Sequence, residues 1–335
     1  MTKKIAKELD RELQARADLV TGAIDSLLPV VHPRPLYEAG RHLVDAGGKR
    51  LRPSMLLLAG EAAGGDAAEI VAAAVSIELI HNFTLIHDDI MDNADVRRGR
   101  PAVHKLWGLS GAILAGDTLY SKAFQVLGMT KARTDLILGA MNMLSRTCTA
   151  ICEGQWLDME FESKERVSEA QYLEMIEKKT GVLYGAAAGM GGLLAGAAPQ
   201  EVAALDEFGR LTGMGFQLQD DVIDLITPEK VSGKRQGGDL IEAKKTLIII
   251  HALANNVSVP VFGKKDASSE EILDGIAVLE NSGSIEYARS RAEEMATRGK
   301  KALQVLPESK AKETLLELAD IVRRCEKLAP EVITR

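Results

Sequence analysis

Apolar positions recur at helical spacing through almost the whole chain, and almost nowhere do they alternate as they would along a strand. The spacing predicts helices over 3–29, 36–46, 52–63, 67–92, 112–128, 132–161, 168–198, 201–226, 240–255, 269–280, 285–304 and 310–327. Breaks fall at "HPRP" (32–35), "AGG" (46–48), "GG" (64–65), "RRGRP" (97–101) and "TPEKVSGKRQGG" (227–238), where glycine and proline interrupt the pattern. "TPEK" at 227 and "SSEE" at 268 read as helix starts.

Two segments, 67–87 and 181–198, are apolar nearly all round, which places them among other helices. The second, "GVLYGAAAGMGGLLAGAA", runs eighteen residues without charge and meets the crude length criterion for a membrane span. Its glycines and alanines make it weakly hydrophobic, however, and no aromatic belts flank it. It reads as a buried helix packed closely by its neighbours. No linker, low-complexity tract or short repeat divides the chain. Although the length prior suggests about two domains, the expectation is all-α, one large helical bundle domain over 1–335.

Composition changes this picture little. With 46% hydrophobic and 27% charged residues and a formal net charge of −7, the chain is an ordinary globule. The acidic balance argues against a general nucleic-acid binder. Cys148, Cys152 and Cys325 form an odd set in a long chain, unlike a disulfide framework. The charged, amphipathic first twenty residues have no apolar signal-peptide core, so a cytoplasmic protein without stable membrane insertion is expected.

Charge patterning matters locally. In "LIHDDIMDNADVRRGRP" (85–101), Asp88, Asp89 and Asp92 directly follow an apolar run. Carboxylates beside a buried stretch are costly unless something binds them. On a helix, Asp88 and Asp92 lie about 40° apart in rotation and about 6 Å along the axis, so both point the same way. The same spacing recurs at Asp220, Asp221 and Asp224 in "GFQLQDDVIDL", with Gln217 one turn earlier. Either triplet alone reads equally as a helix end or a solvated face with partner lysines. Two triplets in semi-buried helices point to cations. Oxygen-only ligands select hard ions, Mg²⁺ first and Mn²⁺ as a substitute. Mg²⁺ is typically held by one or two carboxylates plus phosphate oxygens, so the substrate is a phosphate ester and most simply a diphosphate. Zinc does not fit, because no cysteine or histidine cluster accompanies the acids.

Cations come in four bursts: Lys49, Arg50 and Arg52; Arg97 and Arg98; Lys178 and Lys179 before Thr180; and Lys234, Arg235, Lys244 and Lys245. His81 lies two helical turns before Asp88, on the same face. Any one burst reads as well as salt bridging. Together they suit two anionic groups, one bridged through metal and one gripped directly by Lys, Arg and His.

As an ordered set, these motifs resemble those of the trans-isoprenyl diphosphate synthases, the farnesyl and geranylgeranyl diphosphate synthase family. The likeness covers nearly the whole chain from about Tyr37. It rests on G-K-R-x-R-P (48–53), H-x-x-x-x-x-H-D-D-x-x-D (81–92), R-R-G-x-P (97–101) and G-Q-x-x-D (154–158). Further on come K-T (179–180), G-x-x-x-Q-D-D-x-x-D (215–224), G-K-x-x-G-x-D (233–239) and K-K-T (244–246). One departure is Ala243, where the family usually has glycine before the last lysine. A methyl group there is expected to shift Lys244 slightly without abolishing binding.

The resemblance implies an isoprenoid-synthase bundle with a central active-site cavity and a Mg²⁺-dependent prenyltransferase. The enzyme condenses isopentenyl diphosphate with allylic diphosphates (dimethylallyl, geranyl, farnesyl) to give farnesyl or geranylgeranyl diphosphate. It also implies three Mg²⁺ held by Asp88, Asp92 and Asp220, with Asp89 a weaker ligand and Asp224 a possible further one. Arg97, Lys179, Thr180, Gln217, Lys234 and Lys244 would meet the allylic diphosphate, and Lys49, Arg52, His81 and Arg98 the isopentenyl diphosphate. The implied route is ionisation, condensation and elimination, with Thr180 and Gln217 turning negative dipole ends to the allylic cation. Phe83, about 7.5 Å below Asp88 by helical rise, reads either as one more core aromatic or as the stop that limits the product to C15–C20. Family members are commonly homodimers. Rival readings are weaker. A class I terpene cyclase usually carries N-x-x-x-S-x-x-x-E where this chain has "DDVID", and a silent partner subunit would not keep intact motifs. A ferritin-like bundle needs a second Glu-x-x-His beside Glu78-x-x-His81.

Overall fold

The computed structural model describes residues 3–228 and 235–322. Helix dominates, and the sole strands among these residues are β1 (Val96–Arg97) and β2 (Arg100–Pro101), a two-residue antiparallel hairpin at the "RRGRP" break. The all-α expectation holds.

The residues group into two compact units. The first takes in the described residues within Met1–Cys148, Leu183–Asp206 and Leu303–Glu317. It contains α1 (Lys3–Leu27), α2 (Arg34–Val44), α3 (Leu51–Ala62), α4 (Ala67–Met91) and α5 (Val103–Leu127). It also holds the first half of α6 (Thr134–Ser163), α8 (Val182–Leu194) and the start of α9 (Pro199–Ile226). At its centre stands α4, opened by Asp66, whose carboxylate accepts the Ala68 N–H at 2.9 Å. Ile70, Ala73, Val75, Ile77, Leu79 and Ile80 cover nearly its whole circumference and are buried by α1, α2, α3 and α5. Most of the uncharged segment 181–198 is core: residues 183–192 are all buried, while the helix ends at Leu194 and Gly196 is exposed. Its glycines let α8 lie against α3, since a β-carbon at Gly191 would stand 2.2 Å from the Leu56 carbonyl oxygen.

The second unit takes in the described residues within Thr149–Val182, Glu207–Ala302 and Leu318–Arg335. It includes α7 (Glu169–Ile176), α10 (Gly238–Ile241), α11 (Leu247–Ala254), α12 (Ser269–Asn281) and α13 (Ser284–Ala302). α14 (Lys310–Val322) crosses the boundary between the two residue sets. Its core gathers Phe161, Tyr172, Leu218, Val222, Leu240, Leu247, Leu279 and Ile285. The helix start at "SSEE" is a complete capping box, Ser268 and Glu271 each satisfying the other's backbone N–H. "TPEK" runs into residues outside those described.

Three predicted helices differ. The segment 112–128 begins earlier, at Val103, because Gly108 (φ 71°) joins two helical pieces across a kink. The segment 240–255 is split between α10 and α11. The segment 168–198 holds a π-helical turn, Glu177–Gly181, between α7 and α8, and ends at Leu194.

Candidate active site

In the first unit, α4 delivers its acids in its last turn. Asp88 is partly buried, and Asp92 caps the helix and is exposed. Asp89 differs: its side chain is 1% exposed and is engaged by Arg97, whose Nη2 lies 2.6 Å away and whose Nε donates at 2.7 Å. Burial raises the Asp89 carboxyl, and Arg97 opposes that rise. Arg97 also reaches Asp88 at 3.4 Å. Nε and Nη2 of Arg97 are thus both engaged by acids of the same helix end.

The basic residues of this unit rest on a buried polar network. Arg50, 5% exposed and in a left-handed conformation (φ 50°), pairs with Glu78 (2% exposed) at 2.5 Å and donates to the Val44 carbonyl. Asn82 donates to Glu78 at 2.7 Å and accepts from Arg98 at 3.3 Å. Arg98 also donates to the Leu43 and Gly47 carbonyls at 2.9 and 2.8 Å. Gly48 (φ 121°) leaves room for that guanidinium, which a β-carbon would approach to 3.3 Å. Lys49 is half-buried in the same turn. Arg52 lies 4.3 Å over the Tyr184 ring and 3.3 Å from His81 Nε2. An arginine only donates, so Nε2 accepts and the proton of a neutral His81 sits on Nδ1. Burial, then Arg52, Arg98, Arg97 and Arg50, hold His81 well below the ordinary imidazole range. It is held as a neutral hydrogen-bonding group. Glu78 belongs to Arg50, which removes the Glu-x-x-His metal reading.

The second unit repeats the theme. Asp220 is exposed, whereas Asp221 is 5% exposed and accepts hydrogen bonds from the Tyr172 hydroxyl and from Gln217 Nε2 (3.1 Å). Burial raises the Asp221 carboxyl, Asp239 adds to the rise, and the two donors oppose it. Asp224 accepts the Asp239 N–H at 3.0 Å and so ties α10 to α9. In both triplets, therefore, the middle acid is buried and bonded while an outer one stays exposed.

Lys179 and Thr180 lie in the π turn, a distortion frequent at functional sites. Lys179 pairs with Asp158 at 2.6 Å. Thr180 Oγ1 donates to Gln217 Oε1 at 3.1 Å, so a chain runs Thr180 to Gln217 to Asp221. With its one proton committed to Gln217, the Thr180 hydroxyl can act towards anything else only as an acceptor. Lys244 pairs with Asp239 at 2.9 Å, and Asp239 raises its pKa against the desolvation around it. Ala243 takes a left-handed φ of 61°, the conformation glycine would adopt, and the Lys244–Asp239 pair forms nonetheless. Lys234 lies outside the described residues. Sequence reasoning left Arg50, Glu78, Asn82, Asp158, Tyr172 and Asp239 without roles. Asp158 and Asp239 stood in quoted motifs, but nothing marked Tyr172. Among the described residues, no three His, Cys, Asp or Glu side chains converge as a metal-ligand group.

Known proteins bear on this arrangement. The family model for polyprenyl synthetase matches residues 33–276. The geranylgeranyl diphosphate synthase of Methanosarcina mazei is 53% identical over 309 residues, covering 92% of this chain and 95% of that protein. A geranylfarnesyl diphosphate synthase from Natronomonas pharaonis is 45% identical, covering 95% of this chain and 98% of that protein. The solved geranylgeranyl pyrophosphate synthetase of Geoglobus acetivorans has a TM-score of 0.89 at 45% identity, covering 93% and 99% of the two chains. With one family model spanning most of the length, relatives matched nearly end to end, and both acidic triplets standing in bonded helices, the chain belongs to the polyprenyl synthetase family.

Proposed function

We propose that the protein is a short-chain trans-prenyltransferase that condenses isopentenyl diphosphate with allylic diphosphates to give geranylgeranyl diphosphate. The observation that carries it is the repeated triplet, in which the middle acid is buried and bonded while Asp92 in one helix and Asp220 in the other stand exposed. The names of the Methanosarcina and Geoglobus proteins support the C20 product.

The acids fit Mg²⁺, an oxygen-seeking ion that takes one or two carboxylates and fills its shell with water and phosphate. Asp88, Asp92 and Asp220, with Asp224 as a further candidate, would hold three such ions, and Mn²⁺ would substitute. When bound, the ions supply the positive charge that favours departure of pyrophosphate. Arg97, Lys179 and Lys244 bind and orient the allylic diphosphate, with Lys234 assisting. Lys49, Arg52, His81 and Arg98 hold the isopentenyl diphosphate, with His81 also 3.3 Å from Arg52. Thr180 and Gln217 turn oxygen lone pairs to the electron-poor allylic carbon. No side-chain nucleophile is needed, and pyrophosphate itself accepts the final proton. Phe83, beneath Asp88 on α4, stops the growing chain.

We place the protein in the cytoplasm as a homodimer. Leu106, Leu109, Ile113 and Leu114 are each at least 40% exposed on α5, an apolar face that a second copy would cover. Of the described helices only α4 is long and apolar enough to cross a membrane, and 67% of that stretch is buried within the structure. Incubation with labelled isopentenyl diphosphate, Mg²⁺ and each allylic primer, followed by product sizing, tests the activity. C20 product is expected, and no condensation with any primer would refute it. Sedimentation tests the dimer.

A further inference from the structure

Phe83 is held on two sides. Its ring meets His87 edge-on, with centroids 4.8 Å apart, and Tyr120 at 5.3 Å. The residues form a register: Phe83 and His87 are one turn apart on α4, and Tyr120 and Gly116 are one turn apart on α5. His87 Nε2 lies 3.3 Å from the Ile113 carbonyl oxygen and 3.8 Å from Asp117 Oδ1. A carbonyl only accepts, so that bond places a proton on Nε2. A β-carbon at Gly116 would stand 2.3 Å from Nε2 and 2.5 Å from Cδ2. The imidazole therefore occupies the space that any side chain at Gly116 would need. It is seated on α5 by a hydrogen bond and by a glycine-sized gap, and its ring meets that of Phe83 at a steep angle.

We infer that His87, seated in the gap at Gly116, is a specificity-determining residue that sets product length by fixing the Phe83 ring. This rests on the reading of Phe83 as the stop. A phenyl ring anchored only through its own Cα swings between rotamers, and the floor it offers moves with it. Edge contacts from His87 and Tyr120 leave one orientation, so the stop is the clamped pair. The role requires the shape and hydrogen bond of His87 and no change in its charge.

Product sizing of five variants at matched turnover tests the inference. Phe83→Ser reports on the stop alone and is expected to lengthen the product. His87→Ala is expected to raise the share of products longer than wild type several-fold. His87→Asn, which keeps a donor for Ile113 but has no ring, should do the same and covers any folding loss in the alanine variant. Gly116→Ala pushes the ring off α5 and should shift the distribution. In His87→Ala/Gly116→Ala the added methyl meets no ring, so the double variant should match His87→Ala. Lengthening by Phe83→Ser, with wild-type distributions from the His87 and Gly116 variants, would overturn the clamp and leave the stop standing. Independent, additive effects at His87 and Gly116 would also overturn it. An unchanged Phe83→Ser product would remove both stop and clamp.

Discussion

A β-carbon on Gly154 would stand 2.3 Å from the backbone nitrogen of Lys179. The π turn that carries Lys179 and Thr180 is thus pressed directly onto α6, and α6 supplies Asp158 to hold the lysine. Gly154→Ala must push the turn from the helix, at about 1–3 kcal/mol in stability. Turnover should fall at least tenfold, because Lys179 and Thr180 move together. Thermal melts and steady-state kinetics check both effects. A melt and a turnover like wild type would show that the contact is not limiting.

The Arg50–Glu78 pair is out of solvent on both sides. Glu78→Gln leaves a buried guanidinium with no opposite charge, a loss of about 3–5 kcal/mol. Because Asn82 links Glu78 to Arg98, the KM for isopentenyl diphosphate should rise more than kcat falls. Denaturant melts and kinetics against each substrate separate the two effects.

His81 supplies a pH signature. Its folded pKa lies well below the unfolded value near 6.5, so below that pH the unfolded chain binds the proton first. Its contribution to stability is complete above pH 6.5 and declines as the pH falls, at up to about 1.4 kcal/mol per unit between the two pKa values. His81→Gln should flatten this part of the curve. Melts of both proteins from pH 8 to 5 give the difference directly.

Ala243 adopts a conformation that costs a side-chain-bearing residue roughly 1–2 kcal/mol. Part of that returns as unfolded-state entropy in glycine, so Ala243→Gly should stabilise by about 1 kcal/mol or less. Lys244 already reaches Asp239, so turnover should change less than twofold. A destabilised Ala243→Gly protein would contradict the strain.

Much of this was legible in the sequence, and the omissions have physical causes. Helices such as 67–91 and 269–281 matched their apolar period because one face or the whole girth must be buried. The π turn left no mark, since one extra residue scarcely disturbs the spacing of apolar positions. The glycine facing it from α6 leaves room for it, a long-range contact that the local pattern does not encode. The split of 240–255 was half visible in Ala243, a glycine-like position read only as a neighbour of Lys244. The D-D-x-x-D spacing grouped three acids that packing sorts differently. Asp89 and Asp221 turn about 100° away from Asp88 and Asp220, towards buried partners. Which partner each finds, Arg97 or Tyr172, depends on contacts no local pattern encodes.

Both α4 and α9 end in acids, with no basic residue in the last turn. A helix C-terminus already carries about half a negative charge, so each carboxylate there weakens the turn that presents it. The amides near 88–92 and 220–226 should therefore be among the most exchange-labile of their helices in ion-poor buffer, and cations should protect them. On the proposed Mg²⁺ reading, metal content becomes a folding variable for this chain: adding divalent ion should slow amide exchange at these two helix ends before any substrate arrives, and unchanged exchange would refute it.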